Sequence, residues 1–333
     1  MYLYRVNIHL TFDYELFFGN NSGTVEKCLI APTNALLSIF KTYNIQATFF
    51  VDAGYLLKLK ELAPKFQSLQ NDLDTVEKQL LAIQEQGSSI QLHIHPHWEK
   101  ARYLNGNWVF DMENCYKLSD FEQVELEEIV RKYKTCLDTY VVTPTTVFRA
   151  GGWCIQPFHR LKAVFKELSI QVDSSVIPAV KFASDHYDFD FTTAPQKAHY
   201  SFDNDVCVED ENGYFTEFPI AGFRYSPFFY WRLYGLGRLF PSQHKMMGDG
   251  LFLAQPKRKN NQLSRYTWNH VSCDGYYASK LEKVCRLLVK KETESLVIIG
   301  HPKGMTSYSL KKIKEFCKKN HNKHLFKALS ASK

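Results

Sequence analysis

The sequence has no run of the roughly 18 apolar residues that a membrane-spanning helix requires. Its opening, MYLYRVNIHLTFDYE, lacks the charged start, apolar middle and small-residue cleavage site of a secretory leader. It also lacks any CxxC pair: the eight cysteines, at 28, 115, 136, 154, 207, 273, 285 and 317, are scattered. That argues against a cysteine-based zinc site or disulfide framework, and for reduced, mostly buried thiols in a cytoplasmic protein. One-sided charge is missing too. The 41 basic and 35 acidic residues leave only +6, too mild to imply a nucleic-acid partner. No internal repeat or low-complexity linker interrupts the 333 residues, and 45% hydrophobic with 23% charged residues excludes a largely disordered chain.

Aromatic residues are abundant at 15%, enough to fill a large core and still leave rings to line a groove. Short β-branched or aromatic runs recur at 4–12, 45–51, 90–92, 145–148, 170–172, 206–208, 215–218 and 296–299. Helical patterns separate many of them, at 31–43, 73–86, from a Ser119/Glu122 capping box to about 139, and at 158–168, 279–291 and 309–319. Strands alternating with helices indicate an α/β fold with a parallel sheet. Seven or eight such units favour an irregular (β/α) barrel of about seven parallel strands over an open sheet. Residues 1–333 read as one domain. The segment 184–263 fits the alternation worst and reads as an aromatic-rich insertion, while 309–319 reads as a docked basic helix. Lys257–Asn261 reads as an exposed loop.

Polar residues gather just after the predicted strands. Asp13 and Glu15 follow the first, then His93, His95 and His97, Arg149, Asp173 and His301 follow others. In a parallel barrel these positions share one rim, where active sites are built. Two imidazoles and a carboxylate form a common catalytic zinc shell with one open position. His93 with His97, four apart across Pro96, is the preferred pair, because a turn at the proline aims both rings at one ion. His93 with His95 is the alternative. On extended backbone Asp13 and Glu15 face the same side, so one can ligate while the other accepts a proton.

These segments resemble the polysaccharide deacetylase family, also called NodB-homology or carbohydrate esterase family 4. Thr11-Phe12-Asp13 and Ala47-Thr48-Phe49-Phe50-Val51 match its first motif and following strand. His93-Ile94-His95-Pro96-His97 matches the two ligand histidines. Phe148-Arg149-Ala150-Gly151-Gly152-Trp153, Val172-Asp173-Ser174-Ser175 and Ile299-Gly300-His301-Pro302 resemble the later motifs in order. The resemblance implies a NodB-like barrel and a metal-dependent hydrolase removing N-acetyl (or O-acetyl) groups from an amino sugar or glycan precursor. It implies a divalent ion, Zn2+ first, on His93, His97 and Glu15. Asp13 is the implied base, Arg149 its partner, His301 the acid, and Asp173 the group that orients His301. Trp153 and Tyr14 are the implied substrate contacts, with an oxyanion donor near Trp153. The usual second Asp of the first motif is Tyr14 here, and Glu15 stands in for it.

Two rival readings follow from the same residues. A non-haem iron oxygenase also uses two histidines and a carboxylate, but leaves Asp13, Arg149 and His301 without duties. A catalytically inactive, metal-free carbohydrate-binding protein accommodates Tyr14. Gly222–Phe240, rich in rings and arginines, reads as an aromatic satellite core or dimer contact, with contact to sugar, phosphate or a membrane surface as the minority reading.

Overall fold

The computed structural model describes residues 4–184, 186–253 and 256–331. Its main sheet contains β1 (Asn7–Tyr14), β2 (Ala47–Asp52), β3 (Ser89–Ile94), β4 (Val147–Ala150), β5 (Val172–Asp173), β6 (Tyr200–Phe202), β7 (Phe215–Glu217) and β8 (Ser295–Gly300). The strand order is β6-β7-β5-β4-β3-β2-β1-β8, and every pairing is parallel except β6 with β7. The sheet curls. Its far edges approach through an isolated bridge from Ile220 to Val297, and Ser272 bridges Ile299 in the same way. The result is a mixed α/β half-barrel in which single bridges, with no continuous ladder, span the gap. A short strand, Leu325–Phe326, pairs with the start of β1.

Side-chain parity along the strands organises the interior. On β1, Ile8, Leu10, Phe12 and Tyr14 pack into the outer core, beneath helices such as Ala31–Tyr43 and Gln67–Glu85. Phe50 of β2, Val147 of β4, Val172 of β5 and Val297 and Ile299 of β8 form a second, inner cluster with Ile220. Because both faces of these strands are covered, β1, β2, β3 and β8 are buried along nearly their whole lengths. Residues continuing the inner parity past each strand end therefore point into the mouth.

The expected elements hold with local differences. The helix Gln123–Asp138 starts after Glu122, whose side chain makes no cap; a 3-10 turn at Leu118–Asp120 takes the place of the Ser119 box. No strand forms at 206–208, which is turn; the edge strand lies at Tyr200–Phe202. The expected insertion at 184–263 divides, since β6 and β7 belong to the sheet. Asp188–Asp190 pairs off the sheet with Lys181–Ala183, and after β7 the off-sheet part resumes with the antiparallel pair Gly222–Tyr225 and Thr267–His270. Between its arms lie helices Pro227–Leu239, Pro241–His244 and Pro256–Ser264, so a helix stands where a loop was expected at Lys257–Asn261. Ser226 caps the first by accepting from the Phe229 N–H. Tyr225, Phe229 and Tyr230 make the satellite core of this insertion. The basic C-terminal helix spans Ser307–Asn320 and begins with a Thr306–Ser309 capping box. All eight cysteines are buried and unbridged.

Candidate active site

A cavity of about 730 Å³ opens at the carboxyl end of the sheet, with Asp13, Glu15, His93, His95, His301 and Lys303 in its lining. Parity explains the floor. Thr11 and Asp13 share the inner side of β1, and Glu15 continues it. His93 lies on β3, and the backbone stays extended through His95 (φ −109°, ψ 101°) before a 3-10 turn begins at Pro96. His93 and His95, two apart, therefore face the same way.

Glu15, His93 and His95 each present a ligand atom, and these atoms lie within 4.8 Å of one another. Glu15 Oε2 sits 3.1 Å from His93 Nε2 and 2.6 Å from His95 Nε2. His93 Nδ1 is 2.8 Å from the Arg149 carbonyl, which accepts its N–H and leaves Nε2 as the ligand nitrogen. Neither nitrogen of the buried His95 makes a hydrogen bond of acceptable geometry, so the 2.6 Å contact leaves an orphaned polar ring. Two neutral imidazoles and a carboxylate, all buried, fit a divalent ion.

His97 stands apart from this group, which corrects its expected role as a ligand. The turn at Pro96 carries its ring away among Phe18, Phe110 and Tyr116, with centroids at 4.5, 5.1 and 6.0 Å. Burial holds the His97 imidazole well below its ordinary pKa, so it stays neutral. Gly151 allows His95 its place: a Cβ there would lie 2.6 Å from His95 Nδ1 and from the Ile94 carbonyl.

The carboxylate of Asp13 and the imidazole of His301 face each other across the floor. Arg149, fully buried on β4, donates to Asp13 Oδ1 at 2.7 Å and to Thr11 Oγ1 at 2.9 Å. Its guanidinium also donates to the Ser174 carbonyl and lies 4.2 Å over the Phe50 ring. His301 Nε2 is 3.6 Å from Asp13 Oδ2 and 3.9 Å from Glu15 Oε1. Its Nδ1 is 2.7 Å from Asp274 Oδ2, and its backbone N–H donates to Asp274 Oδ1 at 2.8 Å. Burial disfavours the imidazolium, but Asp274, then Asp13 and Glu15, outweigh it and lift the His301 pKa to about 9.

Asp274 thus holds the position expected for Asp173. Asp173 pairs in register with Phe148, whose side chain packs in the outer core, so it points away from the mouth. It accepts from Ser175 and lies beside Glu217, its partner in register. Burial, then the Asp173 charge, pushes the Glu217 pKa well above the carboxylate range.

Tyr14 also departs from its expected role. It has the opposite parity to Asp13 and Glu15, is 1% exposed, and donates to Gln79 Oε1 on an outer helix, away from the cavity. Trp153 does line the cavity, and its backbone, with that of Gly152, takes the left-handed conformation (φ 62° and 58°).

Two groups escaped the sequence reading. Asp274 follows no predicted strand, so no motif marked it. Lys303 stands two residues after His301; its Nζ is 2.9 Å from Glu15 Oε1 and donates to the Leu16 carbonyl. Burial alone would raise the Glu15 pKa, but Lys303 and His95 hold it well below the usual carboxylate range.

No protein-family model and no curated protein sequence matches the chain. Among solved structures, it is similar to a Mycobacterium smegmatis protein provisionally described as a polysaccharide deacetylase (13% identity, TM-score 0.49), over 97% of this chain and 87% of that one. It is similar also to a family 4 carbohydrate esterase from Streptomyces lividans in complex with acetate (9%, TM-score 0.43; 98% and 93% covered). A GH57 branching enzyme from Thermococcus kodakaraensis resembles it too (8%, TM-score 0.49; 97% and 70% covered). Polysaccharide deacetylases thus resemble the chain over nearly its whole length.

Proposed function

We propose that the protein is a hydrolase that removes an acetyl group from an amino sugar of a glycan or glycan precursor. The observation that carries this reading is the facing of Asp13, locked by Arg149, and His301, held by Asp274, across the Glu15–His93–His95 group. Glu15, His93 and His95 would hold a divalent ion, Zn2+ the first candidate, which when bound would supply Lewis acidity at the acyl group. Asp13, oriented by Arg149, accepts the proton of the attacking water. His301 is cationic near neutral pH, so its Nε2–H can be given to the departing amine, while Asp274 fixes the ring through Nδ1. Water and the amide become acetate and a free amine. Trp153, on the cavity wall, offers its ring to a sugar face.

Acetate release from N-acetylated nucleotide sugars and lipid-linked sugars tests the reading. Asp13→Asn should keep the metal and lose turnover; an active Asp13→Asn enzyme overturns the assignment of the base. A second reading, a metal-free carbohydrate-binding protein, is favoured by Lys303, whose ammonium already supplies a cation to Glu15. Elemental analysis of the purified protein separates the two: one tightly held divalent ion per chain favours hydrolysis.

A further inference from the structure

The insertion helix Pro227–Leu239 turns Phe229 and Tyr230 inward to the satellite core. Its outward side is not the polar face that a soluble helix normally shows. Phe228, Trp231 and Leu239 are 67%, 60% and 73% exposed, and Arg232 and Arg238 are exposed beside them. Counting from Phe228, these residues stand at i, i+3, i+4, i+10 and i+11, which is one stripe along the helix. Phe240, just past its end, is 51% exposed, and Leu251 and Phe252 from the following segment are 57% and 59% exposed.

Charge is concentrated on the same segment. From Phe218 to Cys273 the chain has eight basic residues and one acidic residue, Asp249, a formal +7 against +6 for the whole chain. No Asp or Glu lies between Glu217 and Asp249. Lys280 and Lys283 add to the field near Arg232. Elsewhere on the described surface, exposed large apolar side chains are spread over distant segments, such as Leu81, Val142 and Val208. Rings and leucines interleaved with arginines, without acids, are the composition of an interfacial helix, in which apolar groups enter the acyl boundary and cations stay with the headgroups.

We propose that this outward face is a docking surface for an anionic lipid bilayer. The charge excess selects anionic headgroups over zwitterionic ones, and the exposed rings select a bilayer over a soluble polyanion. Leu233, Arg238 and Phe252 also line the catalytic cavity, so docking sets its mouth beside the membrane surface. No helix among the described residues is long and apolar enough to cross the membrane, and the contact is peripheral. The proposal does not depend on the deacetylase reading, since its test reads binding alone.

The test is flotation of the full chain with vesicles of phosphatidylcholine alone and of phosphatidylcholine with phosphatidylglycerol. Binding is expected to the anionic vesicles only and to weaken steeply in 0.5–1 M salt, where the Debye length falls to about 3–4 Å. Arg232→Gln with Arg238→Gln should weaken it about tenfold or more. Phe228→Ser with Trp231→Ser should weaken it at either salt. Because the serine variant exposes fold to disturbance, Trp231→Phe serves beside it: quenching by brominated lipid should largely disappear in a protein that still binds. No binding to anionic vesicles, binding indifferent to these substitutions, or a concentration-dependent dimer that shields Trp231 without lipid would overturn the proposal.

Discussion

At the position of each ligand, parity decides what a side chain can do. His95 reaches Glu15 because β3 stays extended past its last ladder residue, whereas His97 is swung aside by the turn at Pro96. His95→Ala should therefore abolish retention of a divalent ion, measured by elemental analysis. His97→Ala should keep the ion and cost about 2–3 kcal/mol of stability in urea, as for other large-to-small changes in a packed site. The reverse pattern would return His97 to the ligand set. The two candidate partners of His301 separate in the same way. Asp274→Asn should lower kcat by roughly 10²-fold, within the range for a disturbed general acid. Asp173→Asn should leave kcat within a few-fold, because Asp173 lies on the outer side of β5. Asp13, Glu15, Arg149 and His301 could be read from the sequence because each continues an apolar strand by one inward step. The choice of His97 followed from expecting the turn at Pro96 to aim both rings at one ion, whereas it swings His97 aside. Asp274 was not legible, since it follows a bridge of one residue and no strand run.

Among the elements, the long buried strands were legible, and so were the short inner ones at 147–150, 172–173 and 215–217 to within a residue or two, whereas the edge strand was not. β1, β2, β3 and β8 carry five to seven consecutive buried residues and read as strands from composition alone. β6 is an edge whose position depends on its antiparallel partner, so local sequence does not mark it reliably. The helix Pro227–Leu239 escaped because its outward face is apolar, which hides the usual period of a surface helix. The turn after β4 is exposed to a single change at Gly151. A methyl at Gly151 would meet His95 and the Ile94 carbonyl at 2.6 Å. Gly151→Ala should lower metal affinity at least tenfold by calorimetry and destabilise the fold by about 1–3 kcal/mol. Unchanged affinity would show that His95 has room to move.

For the molecule as a whole, a histidine far from the cavity contributes to acid sensitivity. His9 is 6% exposed and sits near the Lys327 carbonyl; burial lowers its pKa to about 4. Above pH 6.5 both folded and unfolded chains hold it neutral, and it costs nothing. As pH falls from 6.5 to about 4, the unfolded chain takes a proton that the folded one refuses. The His9 contribution to stability should fall by about 3 kcal/mol across that window and then level off. His9→Gln should flatten that slope in urea titrations at pH 7, 5.5 and 4, and an equal slope in both proteins would rule His9 out as its source.

Lys303 has a consequence for assembly of the site. Its ammonium balances Glu15 within the fold itself, so the pocket floor is electrically settled before any ion arrives. Maturation then becomes an exchange of counterions and need not be coupled to folding. Chelator-stripped wild-type protein should melt within a few degrees of the loaded form, whereas stripped Lys303→Met should melt far lower. Equal losses in the two would mean that the lysine is no placeholder and that the scaffold itself waits for its ion.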